Sequence, residues 1–85
     1  MNRAHFDVKL DLCGVKLSFP AEITYEFYEP ERIVIIHDIY NSKRKHDVNG
    51  WIMSTALAFD VDPETVIYPQ IEEIIRDYET AGMPA

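Results

Sequence analysis

Three histidines, His5, His37 and His46, are the side chains best suited to acid–base or metal chemistry. They are spread over the N-terminal arm, a predicted strand and a polar loop, and none stands at metal-ligand spacing from Cys13 or from a carboxylate cluster. His37 precedes Asp38, but neighbouring residues of a strand point to opposite faces of a sheet and cannot form an acid–base pair. The sequence therefore predicts no catalytic site, no metal and no cofactor.

The single cysteine, Cys13, has no partner for a disulfide within the chain, which is typical of a protein from a reducing compartment. It stands beside Gly14 at a predicted hairpin tip, and no histidine lies near it in sequence to activate its thiol. The chain contains no glycine-rich phosphate loop, no nucleophile elbow and no HExxH motif. These absences favour a non-enzymatic protein.

The only positive cluster of the chain consists of Lys43, Arg44, Lys45 and His46. We call these residues the basic loop. Four adjacent positive or titratable side chains could bind a phosphate or an acidic helix. Because the chain as a whole is negative, we interpret the loop as solvated, with a protein contact as the alternative.

The net charge of −7 belongs entirely to the C-terminal half of the chain. Residues 1–46 contain seven acids and seven bases, whereas residues 47–85 contain eight acids and a single base, Arg76. Such a surface repels nucleic acid and anionic lipid and attracts basic protein surfaces over long range. Solubility alone is the simpler explanation of the same excess.

We predict that this acidic half binds a basic site on a larger protein, helped by tyrosine side chains on the neighbouring sheet. Two tyrosines are expected to be exposed because their strands turn the preceding apolar residue to the other face. Arg76 is expected to neutralise one neighbouring glutamate at helical spacing. The predicted partner-binding residues are Asp60, Asp62, Glu64, Glu72, Glu73, Asp77, Glu79, Tyr28 and Tyr40.

Strict alternation of apolar and polar residues over 6–12 predicts a half-buried strand. The alternation resumes at Val15, so a two-residue loop at Cys13-Gly14 predicts a β-hairpin, with Gly14 supplying the positive φ of a tight turn. One register then places apolar residues opposite one another. The predicted pairs are Leu12 with Val15, Leu10 with Leu17, Val8 with Phe19, and Asp11 with Lys16.

Two further strands are predicted after this hairpin. Pro20-Ala21 interrupts the ladder because proline has no N–H to donate, which predicts a bulge, a bend or the start of a new strand, and alternation over 22–28 predicts that the sheet resumes there. The next strand covers 33–40 and begins with four β-branched apolar residues, Ile33–Ile36. That run predicts a strand that is central or covered on both faces.

Helical periodicity begins after residue 49 and predicts a helix over 50–59, with Asp47 or Asn49 as its cap. Asp62-Pro63 has the character of a second helix start, with an acid before a proline. Pro69 is expected to open the last helix and Gly82 to end it. The apolar stripe of that helix is Ile71, Ile74, Ile75 and Tyr78.

Together these elements predict an α+β fold, an antiparallel β-meander of about four strands followed by two C-terminal helices packed on one face. Residues 1–85 are expected to form a single domain. The longest apolar run, Ile33–Ile36, is too short to span a bilayer, and the N-terminus lacks the apolar region of a signal peptide. A cytoplasmic location is the expectation.

This layout, with a polar loop and an acidic C-terminal segment over Gln70–Glu79, resembles the small acidic accessory proteins of bacteriophages and other mobile elements. Proteins of that kind include inhibitors of host defence, such as anti-CRISPR and anti-restriction proteins. The resemblance implies a role as an inhibitor in the host cytoplasm. It rests on size, charge and element order, so no functional residue is carried over from it.

Three functional hypotheses follow from the sequence. The leading one is a stoichiometric binding protein or inhibitor whose acids imitate a nucleic-acid backbone on a basic protein site, without direct binding of nucleic acid or membrane. The alternative is a structural subunit that self-associates through a sheet edge or an aromatic face, as a homodimer or a larger assembly. An enzyme would need distant groups, such as His5, His37 and a carboxylate, to be brought together.

Overall fold

Four strands and a C-terminal helical region make up the fold in the computed structural model, which describes residues 1–81. The helical region comprises helix α1, a single π-helical turn and helix α2. The predicted α+β class, an antiparallel sheet followed by helices that pack on it, is confirmed. The elements are β1 (Asn2–Leu12), β2 (Val15–Tyr28), β3 (Ile33–Asn41), β4 (His46–Asp47), α1 (Asn49–Phe59), the π turn (Pro63–Ile67) and α2 (Tyr68–Ala81), with the strands in the spatial order β1-β2-β3-β4.

The β1–β2 hairpin has the predicted register at all four predicted pairs. Cys13 and Gly14 form its two-residue turn with φ values of 54° and 87°. Two successive positive φ values give a primed turn, whose twist matches that of the strands on either side. Asp11 supports the turn by accepting the N–H of Gly14 at 3.1 Å. Cys13 is therefore exposed at the hairpin tip.

Strand β2 runs through Pro20 without a break, so the predicted second and third strands are one. Pro20 of β2 is paired with Asp7 of β1. In an antiparallel sheet, successive residues of a strand direct their N–H and C=O groups alternately to the strand on one side and to the strand on the other. The carbonyl of Pro20 accepts the N–H of Ser42 at 3.0 Å, which shows that its backbone groups point to the β3 side. The missing N–H therefore costs no hydrogen bond between β1 and β2. The fourth strand is the short β4, which begins at His46, the residue predicted to end the basic loop.

A β-bulge in β3 changes which side chains share a face. The register of β2 against β3 shifts by one residue, and His37 is the extra residue on β3. Ile36 and Ile39 both pack against the core, so His37 and Asp38 between them are both turned away from it. The prediction that these two side chains lie on opposite faces is wrong because the bulge breaks the alternation.

The first half of β3 is covered on one face only. Val34 is buried, but Ile33 and Ile35 are 48% and 44% exposed. Strand β4 reaches only Tyr40 and Asn41, so within residues 1–81 no strand continues the sheet beside the first half of β3. Of the two predicted alternatives, a central strand is confirmed because β3 lies between β2 and β4, whereas a strand covered on both faces is wrong. Here β-branched side chains favour extended backbone without being buried on both sides.

Asp62 caps the π turn as the sequence predicted, whereas the N-cap of α1 is Val48, which makes no side-chain cap bond, so the prediction of Asp47 or Asn49 as that cap is wrong. The carboxylate of Asp47 accepts the N–H of Asn49 at 2.8 Å, at the start of α1. The carboxylate of Asp62 accepts the N–H of Glu64 at 3.0 Å, with a proline at the first position of the π turn. Each bond satisfies a backbone donor that has no partner within its own helix.

Pro69 is the second residue of α2 rather than its first. The π turn lies directly before it, where a proline in a regular α-helix would clash with the carbonyl four residues back. Widening the turn avoids that clash, so the chain passes from the π turn into α2 without a loop. The predicted C-terminal cap, Gly82, lies outside the described residues.

The hydrophobic core lies between one face of the sheet and the two helices. Ile71 and Ile75 of α2 are fully buried, and the ring of Tyr78 meets that of Phe6 edge to face, with centroids 5.1 Å apart. This confirms the predicted stripe of α2. The buried hydrophobic residues are Phe6, Val8, Leu10, Leu12, Ala21, Ile23, Tyr25, Val34, Ile39, Val48, Ile52, Ala56, Ile67, Ile71 and Ile75.

Gln70 of α2 closes the outer edge of β1 near the hairpin tip. Its amide oxygen accepts the N–H of Asp11 at 2.8 Å, and its amide nitrogen donates to the carbonyl of Asp11 at 3.0 Å. The same nitrogen donates to the carbonyl of Val66 at 2.7 Å. A side-chain amide therefore pairs with β1 as the peptide of a neighbouring strand would.

Candidate protein-docking surface

Helix α1 carries no charged residue on any side. Ile52 and Ala56 are buried against the core, while Met53 and Leu57 are 52% and 83% exposed and lie one turn apart. A surface helix ordinarily presents charged residues to water, and a contiguous exposed apolar face marks an interaction site. The outward residues of α1, which we call the apolar α1 face, are Gly50, Met53, Ser54, Leu57 and Ala58.

Three predicted partner-binding acids follow the C-terminal end of this face. Asp60 adopts a left-handed conformation, and its N–H donates to the carbonyl of Leu57 at 3.2 Å. Asp60, Asp62 and Glu64 are all exposed, and no lysine or arginine within residues 1–81 forms an ion pair with them. We call these three residues the acidic rim.

The acids of α2 are divided between structural contacts and solvent. Arg76 pairs with Glu72 at 3.4 Å and with Glu73 at 3.2 Å, which confirms the predicted neutralisation. Its Nε also donates to the carbonyl of Arg32 at 3.0 Å, so this cluster ties α2 to the β2–β3 turn. Asp77 is exposed. The charge of α2 is thus partly balanced within the fold.

Glu79 has a structural partner in the core. The hydroxyl of Tyr25 donates to its carboxylate at 3.1 Å, although the Tyr25 side chain is only 1% exposed. Burial, followed by the hydrogen bond to Glu79 and the charge of Glu79, raises the pKa of Tyr25 to about 12. This contact holds the last turn of α2 against the sheet.

The two predicted tyrosine anchors differ in exposure: Tyr28 is exposed, whereas Tyr40 is half-buried. The hydroxyl of Tyr28 donates to Glu26, whose other carboxylate oxygen contacts Nε2 of His37. The hydrogen bond from Tyr28 is the largest cause that lowers the pKa of Glu26, and the bond from His37 is the second largest. The bond between Tyr28 and Glu26 also raises the pKa of Tyr28. The sequence did not indicate this group, because the β-bulge sets the position of His37.

A pair of carboxyl groups, Asp38 and Asp47, lies where β3, β4 and α1 meet. Their shared hydrogen bond, followed by burial and by the charge of Asp47, raises the pKa of Asp38. The same bond, followed by the N–H of Asn49, lowers the pKa of Asp47. The side-chain amide of Asn49 donates to both carboxyl groups, and its oxygen accepts the hydroxyl of Tyr68 at 3.2 Å. This network fixes the start of α1.

The histidines lie apart within residues 1–81. His5 contacts Glu22 at 3.3 Å, whereas His37 contacts Glu26, so no common carboxylate joins the two. In this part of the chain no group of three histidine, cysteine or acidic side chains is placed to hold a metal ion. Over the same residues, no helix combines the length and the apolar character needed to cross a membrane.

Comparison with models of protein families, with curated proteins and with solved structures finds no match to this chain. The resemblance to small acidic accessory proteins therefore stays a prediction. The apolar α1 face was missed at the sequence level, although a signal for it exists. From Val48 to Phe59, twelve consecutive residues carry no charge, in a chain of which 27% of residues are charged.

Proposed function

We propose that this chain is a non-enzymatic protein-binding module that docks through the apolar α1 face onto a larger protein with a basic surface. The observation that carries the proposal is the 83% exposure of Leu57 on a charge-free helix, directly before the acidic rim. Protein interfaces combine an apolar centre with a polar rim, and a few central side chains supply most of the binding energy. Leu57 and Met53 have the position and exposure of such anchors.

The acidic rim supports a basic partner over a second copy of the chain. Docking two copies through the apolar α1 face would bring two sets of Asp60, Asp62 and Glu64 near each other, and each copy carries −7. Like charges at an interface oppose association, whereas a basic surface is attracted over long range. Proteins that handle nucleic acid have such surfaces. In its most specific form, the proposal is that the chain inhibits such a protein by occupying its basic site, as anti-defence accessory proteins do.

Replacing Leu57 by aspartate is expected to weaken binding about tenfold or more, because it puts a charge at the apolar centre of the interface. The partner is first isolated on immobilised protein at low salt, and its affinity for each purified variant is then measured by calorimetry. Ile35→Asp is the matched control, since it places the same charge on an exposed isoleucine of the open sheet face. Equal affinities for the Leu57→Asp variant and the wild type would refute docking through α1.

Two charge reversals of equal size distinguish the effect of the acidic rim from the effect of the net charge. Glu64→Lys alters the rim, whereas Glu31→Lys alters an exposed acid of the β2–β3 turn. Only Glu64→Lys is expected to weaken binding several-fold and to reduce the dependence of affinity on salt. The reason is that the partner is attracted by the charges close to the interface rather than by the net charge of the chain. If the two reversals act equally, net charge alone explains the attraction.

Self-association through the open face of the sheet is a second candidate function. Tyr28, Ile33 and Ile35 are exposed there, and in the sheet register Tyr28 is paired with Ile33. If this face forms a homodimer, sedimentation should show a dimer that the Ile35→Asp variant abolishes and the Leu57→Asp variant retains. A wild-type chain that sediments as a monomer at high concentration would remove this candidate.

A further inference from the structure

A cleft lies between the β1–β2 hairpin and the basic loop, away from the outward side of α1. It consists of two adjoining cavities of about 330 and 450 Å³, which share Phe19, Asn41 and Arg44 in their walls. Trp51 lines the first cavity from α1, and Lys9 lines the second from β1. Sites for small ligands occupy volumes of this order.

The cleft gathers positive charge that the rest of the fold leaves unneutralised. Lys9, Lys43 and Arg44 line it, and none of them pairs with a carboxylate of residues 1–81. His46 adds a titratable group to the first cavity, and Asp7 is the one acid recorded in either wall. By contrast, Arg3, Lys16 and Arg76 each have an acidic partner. In a chain of net charge −7, this is a local site for an anion.

The basic loop is held in place by the buried side chain of Asn41. Its oxygen accepts the N–H groups of Lys43 and Arg44, each at 3.0 Å. Its backbone carbonyl accepts the N–H of Lys45 at 2.7 Å. The backbone that carries the cationic side chains is therefore preorganised, which lowers the entropy lost when a ligand binds.

An aromatic pair lines the first cavity, which also contains Arg44 and His46. The rings of Phe19 and Trp51 meet edge to face, with centroids 5.5 Å apart, and Trp51 remains partly exposed. Aromatic side chains next to cationic groups are the elements with which proteins hold a base and its phosphate. A ring can stack on the exposed part of Trp51 while its anionic group reaches Arg44.

We infer that this cleft binds a small ligand in which a planar aromatic ring is joined to a phosphate, of the mononucleotide class. The aromatic pair takes the ring, and Arg44, which lines both cavities, takes the phosphate. A free mononucleotide suits the site better than a nucleic-acid strand, because a strand extending beyond the cleft meets the acidic surface of the chain. This site is separate from the apolar α1 face, so it can succeed or fail independently of the proposed docking.

The test is a titration of the full chain with AMP, followed by calorimetry and by the fluorescence of Trp51, which is the single tryptophan. Saturable quenching is expected, with adenosine and inorganic phosphate each binding at least about tenfold more weakly, since each lacks half of the contacts. Phenyl phosphate and the other nucleoside monophosphates then define the preferred ring. No saturation, or phosphate binding as tightly as AMP, would overturn the inference.

Two variants that each remove one positive charge from the basic loop test whether Arg44 is the cation that binds the phosphate. Arg44→Gln is expected to weaken AMP binding about tenfold, because it removes a charge-assisted hydrogen bond. Lys45→Gln removes the same charge from the same loop, but Lys45 does not line either cavity, so a loss below about twofold is expected. Equal losses would overturn the assignment. A short single strand of nucleic acid that binds more tightly as its length increases would overturn the assignment to a free ligand.

Discussion

Replacing Ile75 by alanine is expected to lower the free energy of unfolding by about 3 kcal/mol. Ile75 is fully buried in the middle of α2, the helix that covers the sheet. The loss combines the transfer free energy of the removed methyl and methylene groups with the cost of the cavity left behind. Because small domains are stable by only about 5 to 15 kcal/mol, this one change removes a large part of the total.

Urea unfolding followed by circular dichroism measures this loss, and Ile33→Ala is its matched control. The control removes the same atoms from an isoleucine that is 48% exposed on the open sheet face, so a change below about 1 kcal/mol is expected, mostly from the lower strand propensity of alanine. A large loss in the control would mean that the open face is covered in solution, for example by a second copy of the chain. Comparable losses in both variants would contradict the one-sided sheet described above.

Replacing Tyr25 by phenylalanine is expected to cost about 1 kcal/mol at neutral pH and to change how stability depends on alkaline pH. The hydroxyl of Tyr25 donates to Glu79, and the pKa of Tyr25 is raised to about 12 in the folded chain from about 10 when unfolded. A raised pKa means that the folded state holds the proton more tightly. Its contribution to stability is therefore complete below pH 10 and is lost as the pH rises from 10 towards 12.

Unfolding by urea at a series of alkaline pH values tests this contribution. In the wild type, the free energy of unfolding should fall by at most about 1.4 kcal/mol per pH unit for this one proton, and the variant should lack that part of the slope. Tyr40→Phe is the control, since no hydrogen bond from the Tyr40 hydroxyl is seen within residues 1–81. If the Tyr25→Phe variant keeps the wild-type slope, another group is responsible for alkaline unfolding.

Local rules were sufficient to predict the hairpin and the last helix. The pairing of β1 with β2 depends on a two-residue turn and on alternation within the same short segment, so the sequence contains all of the information needed. The stripe of α2 is equally local, since its period of 3.6 residues identifies the buried side. Pro20 was misread because a missing N–H matters only on the side where a neighbouring strand needs it, which is a property of the whole sheet.

The candidate sites could be predicted only in part. The residues of the acidic rim were among the predicted acids. The sequence could not show that Asp60 is exposed whereas Glu79 accepts a hydrogen bond from a core tyrosine, because that difference depends on tertiary contacts. The apolar run Ile33–Ile36 suggested burial on both faces, which the exposed Ile33 and Ile35 contradict. The charge-free run from Val48 to Phe59 was interpreted only as a helix, so its exposed apolar face was missed. The basic loop was identified, but its aromatic wall was not, because Phe19 and Trp51 are brought together from distant segments of the chain.

The pairing of Gln70 with the edge of β1 links the folding of α2 to the control of aggregation. An unpaired strand edge can template the addition of other chains, and near the hairpin tip this edge is already occupied by the side-chain amide of Gln70. The protection comes from a different element, so it lasts only while α2 is docked. A partly unfolded chain whose α2 has detached would present an open template beside the hairpin tip, and the rate of fibril growth should then follow the rate at which α2 detaches rather than that of global unfolding.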